Sequence, residues 1–181
     1  MHKLVPIIVI FLTLFLLPCS TKGMGLNQKL YVDDNESDLF KGDSSTIQVF
    51  SQNNQRININ KDDVYLMAQI VYAESCAEPF EGKLGVASVI LNRLKYPSFP
   101  KSVKEVIKQR GAFSCLLTGK ANVVPDTDSY NAVIEALKGN DPTYKSTFFY
   151  NPKIATSVWM KNIDKSNVKA IGNHVFFTVI K

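Results

Sequence analysis

The sequence is poor in the side chains that bind transition metals. Its 181 residues include only two histidines, His2 and His174, and three cysteines, Cys19, Cys76 and Cys115. It has no His-Glu-x-x-His motif and no closely spaced cysteine pair, which are the patterns of zinc peptidases and structural zinc sites. We therefore expect no metal site and no cofactor, and a metallopeptidase is disfavoured.

Long hydrophobic runs are missing outside the first 25 residues. There, a basic Lys3 precedes an apolar run over residues 4–17 that only Pro6 and Thr13 interrupt. This run is too short for an ordinary transmembrane helix and is typical of a signal peptide. We predict a signal peptide over residues 1–25, cleaved at 23–25, and a secreted protein without a stable membrane span. An uncleaved membrane anchor is the alternative.

Basic residues do not cluster, since no run of lysine and arginine is longer than two. The formal net charge is +5, and it falls to +3 without Lys3 and Lys22, with 19 basic residues against 16 acidic ones. A charge this weak and dispersed does not indicate a nucleic-acid partner. The 45% hydrophobic and 20% charged content also excludes wholesale disorder and a multi-span membrane protein.

Two cysteines remain after the leader, and the sequence leaves their state open. In an exported protein, Cys76 and Cys115 could form a disulfide that closes a loop of about forty residues. They could equally be two small buried hydrophobic residues.

The rest of the chain divides into a polar segment and a patterned one. Residues 26–60 are rich in Asp, Asn and Gln, which predicts a polar linker with at most weak strands, such as 47–50. Residues 61–181 are predicted to form one domain. From this length we expect no separate binding module.

Helix signals dominate the first part of that domain. Asn60 is a predicted N-cap with Asp62 and Asp63 in the first turn. Further helices are predicted over 81–95, from Ser102 onward, and over 128–138. Small residues in 81–95, including Gly85, predict a close approach of another helix, with the 61–75 region the best candidate.

Aromatic and β-branched stretches follow residue 142. They predict short strands over 147–150, 157–160 and 174–180, forming one small antiparallel sheet. Four helices followed by a small sheet indicate an α+β domain.

Glu74 is the leading candidate for a catalytic residue. It follows Val71 and Ile70 at helical spacings of three and four, so its side chain projects from the apolar face near the helix end. Burial favours the protonated form of a carboxyl group, which is the form that a general acid needs. The alternative is a glutamate at a helix end that a partner satisfies.

Residues 68–93 closely resemble the opening block of the SleB/CwlJ-type cell wall hydrolases, the spore cortex-lytic enzyme family: AQIVYAESCAEPFEGKLGVASVILNR. Later blocks resemble that family in the same order: GAFS (111–114), FYNP (149–152), ATSVW (155–159) and IGNHVF (171–176). The resemblance spans about residues 62–178. It implies a lysozyme-like helical fold with a small sheet, and it implies that Glu74 is the catalytic acid. The family usually has a glycine where this chain has Ala77.

The resemblance also implies cleavage of peptidoglycan glycan strands between N-acetylmuramic acid and N-acetylglucosamine. Glycoside hydrolysis ordinarily needs two carboxylates, and the sequence offers only Glu74 in a suitable setting. Glu78 is predicted to lie past the helix end, and Asp126 and Asp128 are predicted to be helix caps. A lytic transglycosylase with one general acid/base is therefore favoured over a muramidase that uses water.

Five residues are candidates for substrate binding. They are Phe113, Ser114, Tyr150, Asn151 and Trp159. Tyr150, Asn151 and Trp159 combine flat apolar surfaces with hydrogen-bonding groups, and Phe113 and Ser114 follow Gly111 in a predicted loop that could form one groove wall. For Tyr150 and Trp159, the alternative is a place in the core. For Asn151, which precedes Pro152, it is a turn.

Two other functions stay open. Cys115 or Cys76 with His174 could form a peptidoglycan amidase or endopeptidase that cuts peptide stems. The chain could also be an inactive wall-binding protein. The partner expected in every case is peptidoglycan, in the cell wall or the spore cortex, with a recruiting protein as a further possible partner. Asn92 and Arg93 are predicted to support the groove or Glu74.

Overall fold

A computed structural model of the protein describes residues 46–50, 56–117 and 123–180. The predicted signal peptide, its cleavage site and the first part of the linker, over residues 26–45, lie outside these described residues. Within them, no helix is long and apolar enough to cross a membrane.

Six helices and five strands make up the described part of the chain, and they confirm the α+β class. The helices are α1 (Lys61–Ser75), α2 (Phe80–Lys95), α3 (Val103–Lys108), α4 (Ser114–Leu117), α5 (Thr127–Leu137) and α6 (Val158–Asn162). The strands are β1 (Thr46–Phe50), β2 (Arg56–Asn60), β3 (Phe148–Tyr150), β4 (Lys165–Ile171) and β5 (His174–Val179).

The predicted helix starts are confirmed by their caps. The side chain of Asn60 accepts a hydrogen bond from the Asp63 backbone N–H at 2.8 Å, and the Asp63 carboxylate accepts one from the Asn60 N–H at 3.1 Å. Ser102 caps α3 with its hydroxyl, and Asp126 caps α5. Each cap uses residues within one turn of sequence, which is why the pattern predicts them well.

The core lies between α1, α2 and α5, with the β1–β2 hairpin and the second sheet packed on it. Its fully buried side chains include Ile59, Val64, Met67, Ile70, Val71, Val86, Ile90, Leu94, Val133 and Phe176. A partly buried ion pair joins two of the core helices, since Lys83 on α2 lies 2.7 Å from Asp126 at the start of α5. Lys83 is 4% exposed, so this pair fixes the relative position of α2 and α5.

The sheet that follows the helices is antiparallel, with the order β3-β5-β4. Phe149 pairs with Phe176 and Phe148 with Phe177, so successive aromatic pairs face opposite sides of the sheet. Phe176 points toward α2, where an added Cβ on Gly85 would lie 2.6 Å from its ring. The missing side chain of Gly85 therefore makes room for Phe176 of the sheet. The prediction that Gly85 marks the close approach of another helix was wrong.

The prediction of a strand over 157–160 was also wrong, because these residues start a helix. The Ser157 hydroxyl accepts the Met160 backbone N–H at 3.2 Å and caps α6. The capping interaction outweighs the β-propensity of Val158 and Trp159. The third strand of the sheet is β4 instead, a polar edge strand that strand patterning does not detect.

The β1–β2 hairpin lies within the segment that the sequence predicts to be a polar linker. The sequence predicts a polar linker up to residue 60, with a weak strand at 47–50 that the structure contains as part of β1. In the structure, Val49, Ile57 and Ile59 belong to the hydrophobic core. Residues of β2 are alternately exposed and buried. Its three polar residues face solvent and give the segment the composition of a linker, while the two isoleucines between them face the core.

Candidate active site

Glu74 lies in the last turn of α1, and its partly buried carboxylate accepts hydrogen bonds from the start of α4. The backbone N–H of Cys115 donates to Oε1 at 2.8 Å, and the Ser114 hydroxyl is 3.2 Å from both carboxylate oxygens. The first N–H groups of a helix have no partner within that helix. The Cys115 N–H, in the first turn of the short α4, therefore donates to Glu74 instead of to an acceptor within its own helix.

Arg93 adds a positive charge near this carboxylate. Burial lowers the pKa of Arg93 to about 10, while the negative charge of Glu74 acts in the opposite direction. The guanidinium therefore remains charged at neutral pH. Its Nε donates to the Thr147 carbonyl at 2.8 Å, and its carbon lies 5.1 Å from the centre of the Phe113 ring. Arg93 thus packs on an aromatic cluster and lines the groove described below, and its predicted support of Glu74 stays a prediction.

His174 is also near the site, but in a buried, aromatic setting. It is 7% exposed and meets the Phe149 ring edge-on at 5.2 Å. Burial lowers the pKa of His174, and the charges of Glu78 and Glu74 oppose this shift. Its Nδ1 has no hydrogen-bond partner within the described residues. A lowered pKa keeps the imidazole neutral at pH 7, as expected for a residue that packs in the core.

Glu78 lies past the end of α1, as predicted, and its carboxylate is engaged by the β4–β5 turn. The Asn173 backbone N–H donates to Oε2 at 2.8 Å, and the Asn173 side-chain amide donates to Oε1 at 3.1 Å. Gly172 in this turn has a φ of 58°, and an added Cβ would lie 2.1 Å from Glu78 Oε2. Glu78 therefore joins the α1–α2 connection to the sheet.

The other candidate acids have structural surroundings. Asp126 caps α5 and pairs with Lys83, and Asp128 is 3.8 Å from the same ammonium. Burial raises the pKa of Asp126, but hydrogen bonds from Lys83 and Ser129 outweigh this and lower it overall. Glu81 is exposed in the first turn of α2. In the part of the chain that the structure describes, no group of three His, Cys, Asp or Glu residues could hold a metal ion.

A groove of about 300 Å³ lies beside Arg93 and contains an exposed tryptophan. Trp159 is 49% exposed, and its ring centre lies 5.5 Å from that of Phe148. Residues 109–112 also line the groove. Ser114, which contacts Glu74, follows two residues later in the chain, and neither Ser114 nor Glu74 lines the groove itself. Its aromatic lining and polar edges suit a pyranose ring.

The predicted binding residues have different surroundings. Ser114 contacts Glu74, and Trp159 lines the groove, as described above. Phe113 is 1% exposed and belongs to the core, so the prediction that its side chain forms a groove wall was wrong.

Tyr150 and Asn151 lie at the end of β3. The ring of Tyr150 packs edge-on against Phe177, and the Asn151 side chain accepts the Lys153 backbone N–H at 3.0 Å in a turn. Neither residue lines the Trp159 groove. The turn considered from the sequence therefore accounts for Asn151, and a role for either residue in binding substrate stays a prediction.

Sequence reasoning missed two polar residues of the groove. Gln109 and Arg110 line it, and they directly precede the GAFS block. That adjacency was the only available signal, because the exposed end of a short helix has no pattern of its own.

The two cysteines do not form a disulfide in this structure. Cys115 is 4% exposed, and burial together with the Glu74 charge raises the pKa of its thiol to about 12. A nucleophilic cysteine needs an accessible thiolate with a lowered pKa. These surroundings therefore disfavour Cys115 as the nucleophile of an amidase.

Fold and site together define an α+β domain with one hydrogen-bonded carboxyl group at a helix end near an aromatic groove. The family model described as "Cell Wall Hydrolase" matches residues 77–177, more than half of the chain. The chain therefore belongs to the cell wall hydrolase family. The matched segment begins three residues after Glu74, so the match itself does not include that residue.

Several relatives are similar over the same region. The spore cortex-lytic enzyme of Halalkalibacterium halodurans is 43% identical over 115 residues, which is 64% of this chain and 34% of the relative. That of Bacillus subtilis is 39% identical over 117 residues, or 65% of this chain and 38% of the relative. The chain thus spans between a third and two fifths of the length of these two relatives.

Two solved structures have the same fold. One is the catalytic domain of the germination-specific lytic transglycosylase SleB from Bacillus anthracis, with a TM-score of 0.61 and 38% identity. This match covers 66% of the present chain and 97% of that domain. The other is the catalytic domain of the Bacillus cereus SleB protein, with a TM-score of 0.59 and 36% identity, covering 76% and 99% of the two chains.

Proposed function

We propose that the protein cleaves peptidoglycan glycan strands between N-acetylmuramic acid and N-acetylglucosamine as a lytic transglycosylase, with Glu74 as its single general acid and base. The observation that carries the proposal is the hydrogen-bonded Glu74 carboxylate near a sugar-sized aromatic groove. Further support comes from the SleB catalytic domain of Bacillus anthracis, whose title describes a lytic transglycosylase.

The surroundings of the other carboxylates favour a mechanism with one acid. Both oxygens of Glu78 accept hydrogen bonds from Asn173, and Asp126 pairs with Lys83. These groups hold parts of the fold together. A second carboxylate that could activate water across a sugar ring is not evident in the described parts of the chain.

The reaction then needs only one proton carrier. Glu74 donates its proton to the glycosidic oxygen as the bond to the muramic acid C1 breaks. The C6 hydroxyl of the same sugar attacks C1 and returns its proton to Glu74. The products are a 1,6-anhydromuramic acid end and a free N-acetylglucosamine 4-hydroxyl, and no water is consumed.

The donors around Glu74 have a clear part in this cycle. Between the two proton transfers, Glu74 is a carboxylate beside a positively charged sugar. The Cys115 N–H and the Ser114 hydroxyl then hold the carboxylate in place and stabilise its charge. Trp159 supplies the apolar surface on which a neighbouring sugar stacks.

Digestion of purified peptidoglycan tests this proposal, with the products analysed by mass spectrometry. We expect anhydromuramyl products from the wild type and from Cys115→Ser, and none from Glu74→Gln. Glu81→Gln is the matched control, because Glu81 is an exposed acid in the first turn of α2.

Each other outcome points to a different function. Reducing ends that are heavier by one water would indicate a muramidase. Intact glycan with cut peptide stems would indicate an amidase or endopeptidase and overturn both glycan mechanisms. Binding without any cleavage by the wild type would indicate an inactive wall-binding protein.

The site of action proposed with this activity is the cell wall or the spore cortex, reached by secretion. The names of the relatives in Halalkalibacterium halodurans and Bacillus subtilis support the cortex. A recruiting protein remains part of the proposal. Protein gel blots of spore and culture fractions, together with sequencing of the mature N-terminus, test the location and the predicted cleavage at 23–25.

A further inference from the structure

A second cavity, of about 430 Å³, lies where the end of α2 meets the end of α5 and the loop after it. The side chains that give it its chemistry are Asn92, Lys95, Tyr96, Asp141, Tyr144 and Lys145. It shares no lining residue with the Trp159 groove: Asn92 on α2 lines this cavity, and the next residue, Arg93, lines the groove.

Two lysines, Lys95 and Lys145, line this cavity. Burial lowers the pKa of Lys95, Asp141 opposes this, and the charge of Lys145 lowers it further. Neither ammonium forms a salt bridge with a carboxylate among the described residues. A pair of like charges without an ionic partner in a cavity is a ready site for an anion.

The acid in the cavity does not neutralise these lysines by direct contact. Asp141 Oδ1 accepts the backbone N–H and the hydroxyl of Thr143, at 2.8 and 2.6 Å. Its Oδ2 accepts the Asn92 side-chain amide at 2.9 Å and the Lys145 backbone N–H at 3.0 Å. These four hydrogen bonds commit the Asp141 carboxylate to the shape of the loop.

That loop has an unusual backbone. Tyr144 and Lys145 are consecutive residues with φ angles of 55° and 64°, in the left-handed region that non-glycine residues rarely adopt. Thr143 and Ser146 on either side are fully buried. The packed flanks and Asp141 thus hold Tyr144 and Lys145 at the cavity in a preformed but strained conformation.

We propose that this cavity binds the carboxylate-bearing peptide stem of peptidoglycan. The inference rests on the proposed function, because a glycan strand in the Trp159 groove carries such stems on its muramic acid residues. The two ammonium groups suit the carboxylates of an acidic peptide, and the rings of Tyr96 and Tyr144 suit its apolar parts. Phosphate polymers of the wall would use the lysines but not the tyrosines.

Binding of a synthetic stem peptide, measured by titration calorimetry, tests the site without any turnover. The probe is the free tetrapeptide L-alanyl-D-glutamyl-diaminopimelyl-D-alanine, compared with the same peptide amidated at every carboxyl group. We expect Lys145→Gln to weaken binding of the free peptide by about fivefold, the effect of one lost ion pair. Lys104→Gln, an exposed lysine on α3, is the control and should bind like the wild type.

Lys145 is exposed, so its substitution leaves the fold intact, and a thermal melt of each variant checks this. Equal affinity of the wild type and Lys145→Gln for the free peptide would overturn the proposal. So would equal binding of the amidated peptide, or tighter binding of a glycerol phosphate oligomer than of the free peptide. A Tyr144→Ala variant that binds less tightly at unchanged melting temperature would support the aromatic contact.

Turnover then links the cavity to the reaction. On strands that carry stems, we expect Lys145→Gln to raise KM by about fivefold with kcat unchanged. On strands stripped of stems by an amidase, the variant and the wild type should have the same KM. If the wild type cleaves neither substrate, the proposed function fails. The peptide-binding measurement then still decides whether the cavity binds the stem. If KM changes equally on both substrates, the stem is not the ligand.

Discussion

Two carboxylates four residues apart, Glu74 and Glu78, have nearly the same hydrogen-bond donors in two different regions of the molecule. Each accepts one backbone N–H at 2.8 Å and a side-chain donor, Ser114 for Glu74 and Asn173 for Glu78, and the Cys115 side chain also hydrogen-bonds to Glu74. The donors of Glu74 come from α4, which continues from the wall of the Trp159 groove. The donor of Glu78 is Asn173 in the turn between two strands. Local hydrogen bonding therefore does not distinguish a candidate catalytic residue from a structural one. The surroundings of the carboxylate distinguish them.

The largest expected difference between the two regions is in activity. Because a positioned general acid contributes on the order of 10² to 10⁴ in rate, we expect Glu74→Gln to reduce cleavage by about 10³-fold. Glu78→Gln should retain activity within about tenfold, since it acts only through the position of the turn. Rates of release of anhydromuramyl products measure both variants. Comparable losses in the two would remove the distinction.

The free energy of unfolding should be more sensitive to changes around Glu78 than to changes in the region of Glu74. Gly172→Ala places a Cβ against Glu78 and Pro79 at a positive φ, and we expect it to lower the free energy of unfolding by about 2 kcal/mol.

Gly111→Ala is the matched control for Gly172→Ala. It has a φ of 73° and no atom within 4 Å of the added Cβ, so it should cost only about 1 kcal/mol for the backbone alone. Urea denaturation gives both values. Equal costs would mean that the close approach to Glu78 contributes nothing.

The smallest effects should come from removing one side-chain donor from each carboxylate. Ser114→Ala leaves the Cys115 N–H in place, and we expect about a fivefold lower rate with little change in stability. Asn173→Ala leaves its own N–H on Glu78 and should lower stability by about 0.5 kcal/mol without affecting the rate. Paired rate and urea measurements on the two variants would show whether each donor serves its own region. A lower rate in Asn173→Ala would instead connect the turn to catalysis.

The accuracy of the sequence-based predictions followed the range of the interactions involved. The start of α1 was predicted from Asn60 and Asp63, three residues apart, and α3 from Ser102 in the same way. The strand predicted over 157–160 was wrong. The β-propensity of Val158 and Trp159 favoured a strand, whereas the hydroxyl of Ser157 caps a helix at the same place. The β1–β2 hairpin was mistaken for linker, since the core side chains that cover Ile57 and Ile59 come from elsewhere in the chain.

The candidate site divides in the same manner. Local patterns and family resemblance made Glu74, Ser114 and Trp159 candidates, and their roles stay predictions; the structure places Ser114 against Glu74 and Trp159 in the groove. Phe113 was assigned to the groove wall, but its ring is buried below Arg93. Its chain neighbours gave no sign of this, because whether a phenylalanine in a loop faces inward depends on the elements packed against it.

By itself, the sequence determined the helix caps, the apolar face that carries Glu74 and membership of a cell wall hydrolase family, because each depends on residues close together or on ordered motifs. Only the tertiary structure decided that Ser114 and Cys115, 40 and 41 residues farther on, hold the Glu74 carboxylate. It also decided that Asn173 holds Glu78 and that Lys95 and Lys145 line one cavity. Such contacts arise from the packing of α1, α2 and the sheet around one core, and no local pattern encodes the relative placement of these elements.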